Sequence, residues 1–252
     1  MATPFDIAGK AILVTGAGRG LGRAIVLEAV LGGADVAAVD IDEALLREVI
    51  AASGEHSGHI LPVVGDVTDR NTLMSAAAGL AHKCGGVDAV ISNAALIQYQ
   101  PIHLVTQETL DRMLGIGITA AVWGVQALLE YRRPSGASLI HMTSPVAERG
   151  VPGTSVYAMT KAAVASLTRT LAAELGPQGI RVNALAPGSI PTPGAMGLTS
   201  PAEYARRIAA IPLRRLGTER EVALAALYLL SDAASFINGE VIHIDGGIMA
   251  AL

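Results

Sequence analysis

The sequence predicts a doubly wound α/β protein, in which helices cover both faces of a parallel sheet. Short runs rich in Val and Ile alternate with longer segments whose apolar residues recur every three or four positions. The short runs are apolar at consecutive positions, as in AILVT at 11–15, and this is typical of strands buried on both faces. Alternation of the two patterns indicates consecutive βαβ units.

Seven runs have the length and composition of strands. They lie at 11–15, 35–40, 60–64, 88–92, 137–142, 180–185 and 241–244. Helical periodicity is clearest at 21–31 and 155–175, and another long helical region lies near 106–131. These elements together predict a sheet of seven strands with helices on both faces.

A loop rich in Pro and Gly follows the sixth predicted strand, from Pro187 to about Pro201. Such a loop could mark a domain boundary or form a lid over a site. Too little chain follows it for a second domain, so the lid is the favoured interpretation. We therefore expect a single domain that spans residues 1–252 and includes the site.

The composition, with 51% hydrophobic and 16% charged residues, is that of a compact globular protein. A net charge of −4 offers no broad basic surface for nucleic acid. The single cysteine, Cys84, excludes an intrachain disulfide, and we expect no metal site. The first residues lack the pattern of a signal peptide, and no uninterrupted apolar stretch approaches the roughly 18–20 residues of a membrane span. We therefore expect a cytoplasmic protein without a nucleic-acid or membrane partner.

The first predicted strand ends in a glycine-rich turn, TGAGRGLG at 15–22, which leads directly into a helix. Gly16, Gly18 and Gly20 would let the backbone approach a pyrophosphate, and Gly22 would let the helix pack against the strand. The helix N-terminus would supply free N–H groups and a favourable dipole. Any tight turn between a strand and a helix can use glycine, but the place of this one after the first strand favours a dinucleotide site.

The second predicted strand ends at Asp40, about 20 residues after the glycine turn, where a carboxylate can accept hydrogen bonds from an adenosine ribose. The same carboxylate would repel a 2′-phosphate, so NAD is favoured over NADP as the cofactor. Arg19 could instead pair with such a phosphate, pair with Asp40, or lie in solvent. Asp40 could also be the N-cap of a helix that starts at Glu43.

Tyr157 and Lys161 lie four residues apart in a helical pattern, which puts both side chains on one helix face. A neighbouring ammonium favours the phenolate and lowers the pKa of the tyrosine, so the pair can act as general acid and base on an alcohol or ketone oxygen. Ser144 follows the fifth predicted strand and would hydrogen-bond to the substrate oxygen. The alternatives are an incidental pair and a turn serine before Pro145.

In this order, the motifs resemble the short-chain dehydrogenase/reductase family over nearly the whole chain, from Lys10 to about Gly247. The resemblance rests on TGAGRGLG at 15–22, Asp40, Asp66-Val67, Asn93-Ala94, Ser144, YAMTK at 157–161, Asn183-Ala184, Pro187-Gly188 and DGG at 245–247. It implies a Rossmann-type fold, hydride transfer between NAD(P)(H) and a secondary alcohol or ketone, and assembly as a homotetramer or homodimer. The helices near 106–131 and 155–175 would then pack against symmetry-related copies.

The resemblance also implies a role for each matching residue. Asp66 and Val67 would hold the adenine, Asn93 would lie along the adenosine ribose, and Lys161 would bind the nicotinamide ribose. The segment from Pro187 to Thr192 would flank the nicotinamide. The cofactor-binding set is therefore Gly16, Gly18, Arg19, Gly20, Leu21, Asp40, Asp66, Val67, Asn93, Tyr157, Lys161, Pro187, Gly188, Ile190 and Thr192, and the catalytic set is Ser144, Tyr157 and Lys161.

The substrate itself stays open. We expect a substrate loop at about 188–212 and a rather apolar pocket. Four apolar residues would line that pocket, and three polar residues could add polarity. These residues are Val146, Val151, Met196 and Leu198, and then Glu148, Arg149 and His141.

The sequence departs from the family pattern in two places. One is SNAA at 92–95, where the family usually has Asn-Asn-Ala-Gly, and here Ala95 would add a tolerable methyl beside the cofactor. The other is Gly117. Ser92 stands where the family usually has an Asn that ties the sheet together, although a hydroxyl can replace one hydrogen bond. Gly117 stands where the family has an Asn that holds a water in a proton relay to the lysine. One hypothesis is that Gly115 and Gly117 keep the helix locally open, so that backbone carbonyls and an additional water replace the amide. The other is close packing against a neighbour.

A dinucleotide-binding sensor or scaffold with weak catalysis is the alternative function.

Overall fold

The computed structural model describes residues 3–55, 58–196 and 200–251. Leu198, which we expected in the substrate pocket, lies outside the described residues, as does the side chain of Met196. All seven predicted strands join one parallel sheet in the order β3-β2-β1-β4-β5-β6-β7. The strands are β1 Ala11–Thr15, β2 Asp35–Asp40, β3 Ile60–Val64, β4 Ala89–Ser92, β5 Ala137–Met142, β6 Ile180–Pro187 and β7 Val241–Ile244.

Nine α-helices surround the sheet within the described residues. They are α1 Gly20–Leu31, α2 Glu43–Ser53, α3 Arg70–Cys84, α4 Gln107–Leu114, α5 Ala120–Tyr131, α6 Ser155–Leu175, α7 Pro193–Met196, α8 Pro201–Ala210 and α9 Glu219–Leu230. The doubly wound prediction is confirmed, because the helices form a layer on each face.

Alternate residues of the central strand serve two separate cores. Ile12 and Val14 pack with residues of α1 and α9 on one face of the sheet. Ala11 and Leu13 pack with residues of α3, α5 and α6 on the other face. Side chains alternate between the two faces of a strand, so a strand covered on both faces must be apolar at every position. This explains the continuous apolar runs in the sequence.

The order of the strands places a crevice at the carboxyl end of the sheet. β1 pairs with β2 on one side and with β4 on the other, so the chain changes its winding direction at this point. In open α/β sheets, ligands bind in the crevice outside the carboxyl ends of the strands at such a switch point. The glycine turn after β1 and the segment after β4 meet in this crevice.

One helical region is long and apolar. The segment Gln107–Tyr131 is continuously helical over 25 residues, with a mean hydropathy of 1.5 over its most apolar window, and is long and apolar enough to cross a membrane by length and composition. We expect no uninterrupted apolar run of roughly 18–20 residues, and this helix contains none, because polar residues such as Thr119 and Gln126 interrupt it. In the fold, its second half, α5, packs against α3 and β4 as a core helix.

Candidate active site

The N-terminus of α1 is open toward the crevice. Its N-cap residue, Arg19, is extended and makes no side-chain cap, whereas α2, α3, α4, α8 and α9 are each capped by an Asp, Ser or Thr side chain. The first N–H groups of a helix have no partner within it, so an uncapped N-terminus favours an anion such as a phosphate. A Cβ built on Gly22 would overlap the carbonyl oxygen of Gly16, so only glycine permits this close passage of helix and turn.

Asp40 holds the glycine turn and does not cap a helix. Its Oδ2 accepts a hydrogen bond from the backbone N–H of Gly18 at 2.8 Å. The N-cap of α2 is Asp42, whose Oδ1 accepts from two backbone N–H groups of the helix, so the alternative role of Asp40 as the N-cap is wrong. The Arg19 side chain is exposed at the start of α1. The structure thus brings the predicted ribose acid against the predicted phosphate turn.

The predicted adenosine side of the crevice is built by the segments that follow β3 and β4. Asp66 Oδ1 accepts from the N–H and the hydroxyl of Thr68, both at 2.8 Å, beside the buried Val67. The side-chain amide of Asn93 donates to the carbonyls of Thr15 at 2.9 Å and Gly16 at 3.1 Å. Asn93 therefore braces the glycine turn, and its predicted contact with a ribose stays a prediction.

The predicted nicotinamide side of the crevice follows β6, which extends through Pro187. The N–H of Gly188 donates to Ile244 at 3.0 Å, and Ile190 is buried in the core beneath the loop. Thr192 reaches across to the glycine turn, since a Cβ built on Gly20 would lie 3.4 Å from its Cβ. The predicted phosphate turn and the predicted nicotinamide segment, 172 residues apart at Gly20 and Thr192, therefore adjoin in the fold.

The predicted catalytic side chains converge at the carboxyl end of β5. Tyr157 and Lys161 are both buried in the first two turns of α6. Lys161 Nζ donates to the carbonyl oxygen of Met142 at 2.7 Å and lies 5.6 Å from the centroid of the Tyr157 ring. The hydroxyl of Thr143 donates to the backbone carbonyl of Lys161 at 2.9 Å, so the end of β5 positions this part of the helix.

Burial controls the protonation of the pair. Burial raises the pKa of Tyr157, the neighbouring Tyr99 raises it further, and interaction with the Ser144 hydroxyl lowers it. Burial lowers the pKa of Lys161 to about 8. Our expectation that the ammonium would lower the pKa of the tyrosine is therefore wrong for the direction of the net shift. The reason is that loss of hydration disfavours the charged form of both groups.

Comparison with known proteins decides the family. The family model described as enoyl-(acyl carrier protein) reductase matches residues 16–249. A curated relative, the 3-oxoacyl-(acyl-carrier-protein) reductase FabG of Thermotoga maritima, is 34% identical over 242 residues, which cover 96% of this chain and 98% of the relative. The chain belongs to the short-chain dehydrogenase/reductase family.

Solved structures of this family share the fold. A short-chain type dehydrogenase/reductase from Mycobacterium marinum superposes with a TM-score of 0.90 at 32% identity, covering 97% of each chain. A structure from Beutenbergia cavernae, assigned as an NAD(P)-dependent gluconate 5-dehydrogenase and holding NADP at low occupancy, superposes with a TM-score of 0.90 at 32% identity, covering 98% of this chain and 100% of that chain. This short-chain dehydrogenase/reductase is an NAD(P)-dependent oxidoreductase that acts on alcohol or ketone groups, and the sensor or scaffold alternative is not favoured.

The structure adds one aromatic residue that the sequence analysis missed. Tyr99 meets the Tyr157 ring edge-on, with 5.8 Å between the ring centroids. Leu96, Ile97 and Val146 pack in the same cluster as Tyr157, which agrees with the expected apolar pocket. No local pattern marks Tyr99, because it follows β4 in a segment without regular periodicity.

Two of the three polar residues expected near the substrate, His141 and Glu148, lie in different surroundings. His141 is completely buried within β5, where its Nδ1 lies 2.9 Å from the Thr168 hydroxyl, so the expectation that it adds polarity to the pocket is wrong. Glu148 lies 3.7 Å from His243 instead, at the edge of a cavity of about 890 Å³ next to the nicotinamide segment. Consecutive strand residues face opposite ways, which the sequence pattern of a fully buried strand cannot distinguish.

The structure shows the surroundings of Gly117 and Ser92, two residues that depart from the family pattern. Residues Gly115–Thr119 form a π turn between α4 and α5, in which the N–H of Ala120 donates to the carbonyl of Gly115. A Cβ built on Gly117 would lie 3.1 Å from the Cβ of Thr160 on α6. The helix is thus locally opened, as the first hypothesis held, and Gly117 also packs closely, as the second held. The Ser92 hydroxyl replaces no hydrogen bond of the usual Asn, because its buried Oγ has no hydrogen-bond partner among the described residues.

Proposed function

We propose that this enzyme interconverts a secondary alcohol and its ketone, with Tyr157 as the acid and base. Ser144 would hold the substrate oxygen, and Lys161 would support the charge on the tyrosine. The observation that carries the proposal is the convergence of the three side chains at the carboxyl end of β5, next to the crevice where ligands bind in open α/β sheets. Incidental residues have no reason to meet at that point.

The residues of the crevice fit a nicotinamide dinucleotide. The uncapped N-terminus of α1 would bind the pyrophosphate, and the close passage at Gly22 leaves no side chain to obstruct it. Asp66 and Asp40 would face the adenosine, and the segment from Pro187 to Thr192 would face the nicotinamide. When bound, the nicotinamide supplies or accepts the hydride at the substrate carbon.

The proton moves through Tyr157 in either direction. During ketone reduction its hydroxyl donates a proton to the substrate oxygen, and during alcohol oxidation the phenolate accepts it. Burial raises the pKa of Tyr157, so the proton donor is fully formed at neutral pH. The phenolate needs positive charge nearby, which Lys161 provides when it is protonated. Ser144 holds the substrate oxygen beside the tyrosine hydroxyl.

We further propose NAD(H) as the preferred cofactor. Asp40 lies against Gly18 in the glycine turn, where its negative charge would accept a hydrogen bond from a ribose hydroxyl and repel a 2′-phosphate. Arg19 is the competing group, since its exposed guanidinium could pair with that phosphate. The carboxylate is anchored by backbone donors and the guanidinium is not, which favours the carboxylate as the determinant.

The chain would work as a cytoplasmic homotetramer or homodimer on a substrate with an apolar body. Leu129 on α5 and Met159 on α6 are 37% and 46% exposed, which supports an interface through these helices because exposed apolar side chains gain from burial. The apolar neighbours of Tyr157, which are Leu96, Ile97 and Val146, support an alkyl or cyclic ketone as substrate.

The substitution Tyr157→Phe tests the proposal. It removes the proton donor and keeps the ring, so we expect turnover to fall by at least about 10²-fold while NADH binding is retained. Fluorescence titration with NADH and NADPH measures binding, and absorbance at the nicotinamide band measures turnover of a panel of ketones and secondary alcohols. Undiminished turnover would exclude Tyr157 as the acid and base, and tighter binding of NADPH would exclude the proposed role of Asp40.

A further inference from the structure

A second carboxylate, besides that of Asp40, lies close to the glycine turn. It belongs to Glu219, the first residue of α9. A Cβ built on Gly20 would lie 3.9 Å from Oε1 of Glu219 and 3.4 Å from the Cβ of Thr192. Asp40 meets the same turn at Gly18. Carboxylates therefore reach the turn both from the end of β2 and from the start of α9.

The N-terminal turn of α9 does not use the side chain of Glu219. Thr218 and Glu221 form a capping box, in which the Thr218 hydroxyl accepts from the N–H of Glu221 and the Glu221 carboxylate accepts from the N–H of Thr218. Arg215 donates two hydrogen bonds to the same carboxylate. Glu219 is half-buried and has no ion pair among the described residues. The capping box, and not Glu219, therefore holds this end of the helix.

The carboxylate of Glu219 lies near the N-terminus of α1, where the cofactor phosphates would bind. Gly20 is the first residue of that helix, its N-cap residue Arg19 makes no side-chain cap, and its first turn contains no acidic residue. The free N–H groups and the dipole at such an N-terminus attract any anion close to it. A phosphate bound there would lie near the negative charge of Glu219, and like charges repel each other.

Nearby cations leave much of this negative charge in place. Burial raises the pKa of Glu219, and Arg23, in the first turn of α1, lowers it by a smaller amount. Arg220 is engaged elsewhere, because its Nε lies 2.8 Å from a carboxylate oxygen of Glu28. The loop at 187–199, which approaches the turn through its threonine, contains no charged or titratable side chain.

We propose that Glu219 competes with the pyrophosphate of a dinucleotide for the N-terminus of α1, so that it weakens cofactor binding and links that binding to the uptake of a proton. The negative charge of the arriving phosphates favours the neutral form of the carboxyl group. The proton comes from solvent and is released again when the dinucleotide leaves. The inference rests on the proposed function, because it requires that a dinucleotide binds at the glycine turn.

The direction of the pH dependence follows from the pKa of Glu219. Burial raises this pKa in the free protein, and the charge of the phosphates raises it further in the complex. At pH values below both pKa values the carboxyl group is neutral in both states, and affinity for the dinucleotide is highest. Affinity falls as the pH rises from the lower to the higher of the two values, and above both the carboxylate opposes the phosphates in full.

Binding of ADP-ribose tests the proposal without any assay of turnover, because this ligand carries the pyrophosphate and lacks the nicotinamide. At about pH 8, isothermal titration calorimetry should show that Glu219→Gln binds ADP-ribose about threefold to tenfold more tightly than the wild-type protein, since glutamine keeps the shape and removes the charge. The difference should narrow at about pH 5.5, where more of the wild-type carboxyl group is neutral. Glu219→Ala also removes the charge and should bind as tightly as Glu219→Gln.

Calorimetry in buffers of different ionisation enthalpy measures the proton itself. At about pH 6, the wild-type protein should take up a fraction of a proton for each ADP-ribose bound, and Glu219→Gln should take up less. Glu174→Gln is the matched control, because it removes the same charge from an exposed position in the last turn of α6, whose first turns carry Tyr157 and Lys161. We expect wild-type affinity and wild-type proton uptake in this control.

Two results would overturn the proposal. One is binding of ADP-ribose by Glu219→Gln that is no tighter than binding by Glu174→Gln at about pH 8. The other is the same proton uptake in both variants.

Failure of this inference is separable from failure of the proposed function. If the wild-type protein and Glu219→Gln bind neither ADP-ribose nor NADH, the glycine turn is not a dinucleotide site and the proposed function is wrong. If the wild-type protein binds both ligands and turns over a ketone, while Glu219→Gln binds no more tightly, the function stands and the role of Glu219 is rejected.

Discussion

Two glycine-bearing segments, 16–22 and the π turn at 115–119, both bring the backbone close to a neighbour, but the neighbours differ in kind. A Cβ on Gly22 would overlap a carbonyl oxygen of the same turn. A Cβ on Gly117 would meet the side chain of Thr160 at 3.1 Å, and one on Gly115 would meet a methyl of Thr68 at 3.3 Å. Backbone atoms cannot move aside without breaking hydrogen bonds, whereas side chains can shift by a few tenths of an ångström.

The difference explains why one segment is a recognisable motif and the other is not. Hydrogen bonds hold the turn at 16–22 in place. The N–H of Gly18 donates to Asp40, and the side-chain amide of Asn93 donates to the carbonyls of Thr15 and Gly16. A site for a pyrophosphate requires this rigidity, because donors that are already in place bind an anion without further ordering. The π turn is a local adaptation of a helix, and π turns of this kind occur often at functional sites.

The largest effect is expected from Gly22→Ala. The added methyl overlaps backbone, so we expect at least about 3 kcal/mol less stability and no measurable NADH binding. Thermal unfolding and NADH titration measure the two effects. Gly150→Ala is the control, because a Cβ at Gly150 meets nothing within 4 Å. Normal NADH affinity in Gly22→Ala would show that the close passage of helix and turn at Gly22 is not required for cofactor binding.

Asp40→Asn should give the next largest effect, on cofactor choice. The asparagine oxygen can still accept from Gly18, so the turn keeps its shape while the negative charge is removed. We expect the affinity for NADPH to rise about tenfold relative to NADH, which is about 1.4 kcal/mol. Paired titrations with both cofactors measure this ratio. An unchanged ratio would assign selectivity to Arg19 instead.

Gly117→Ala should have a smaller effect, confined to turnover. Alanine favours the helix by up to about 1 kcal/mol, and crowding against Thr160 offsets much of this gain. Because Thr160 precedes Lys161, we expect kcat to fall about threefold to tenfold, or roughly 1 kcal/mol, with unchanged NADH affinity. Steady-state kinetics and NADH titration separate the two quantities. A loss of cofactor binding would mean that the π turn supports the cofactor site as well.

Gly115→Ala should have the smallest effect. Its Cβ would lie 3.3 Å from a Thr68 methyl on an exposed loop, so a slight shift suffices. We expect a change in unfolding free energy below about 1 kcal/mol, in the stabilising direction, because alanine is the better helix former. Thermal unfolding checks the sign. A strong destabilisation would show that the π turn itself requires glycine at its first position.

The sequence predicted much of the secondary structure of this molecule. Each of the seven strands lies where a continuous apolar run predicted it, and α6 spans Ser155–Leu175 as its periodicity indicated. Both patterns are local, since burial on two faces or on one face is encoded in neighbouring residues. The region near 106–131 shows the limit, because its apolar periodicity predicts a helix but does not reveal the π turn within it.

The sequence predicted which residues belong to the site but not how they interact with one another. Whether Asp40 capped a helix or met the glycine turn was undecided until the fold brought it to Gly18, 22 residues away in sequence. Tyr99 lay in a segment without periodicity, and only the packing places it against Tyr157. His141 was expected near the pocket because it is polar, yet its side chain is completely buried in the interior.

The sequence by itself determined the type and order of the elements and the residues that carry the chemistry, because these depend on short-range patterns and residue type. Only the tertiary structure decided the direction of the pKa shift of Tyr157 and the approach of Glu219 to the glycine turn. Desolvation and approaches of this kind are set by every element that packs around a group, and those elements come from distant parts of the chain.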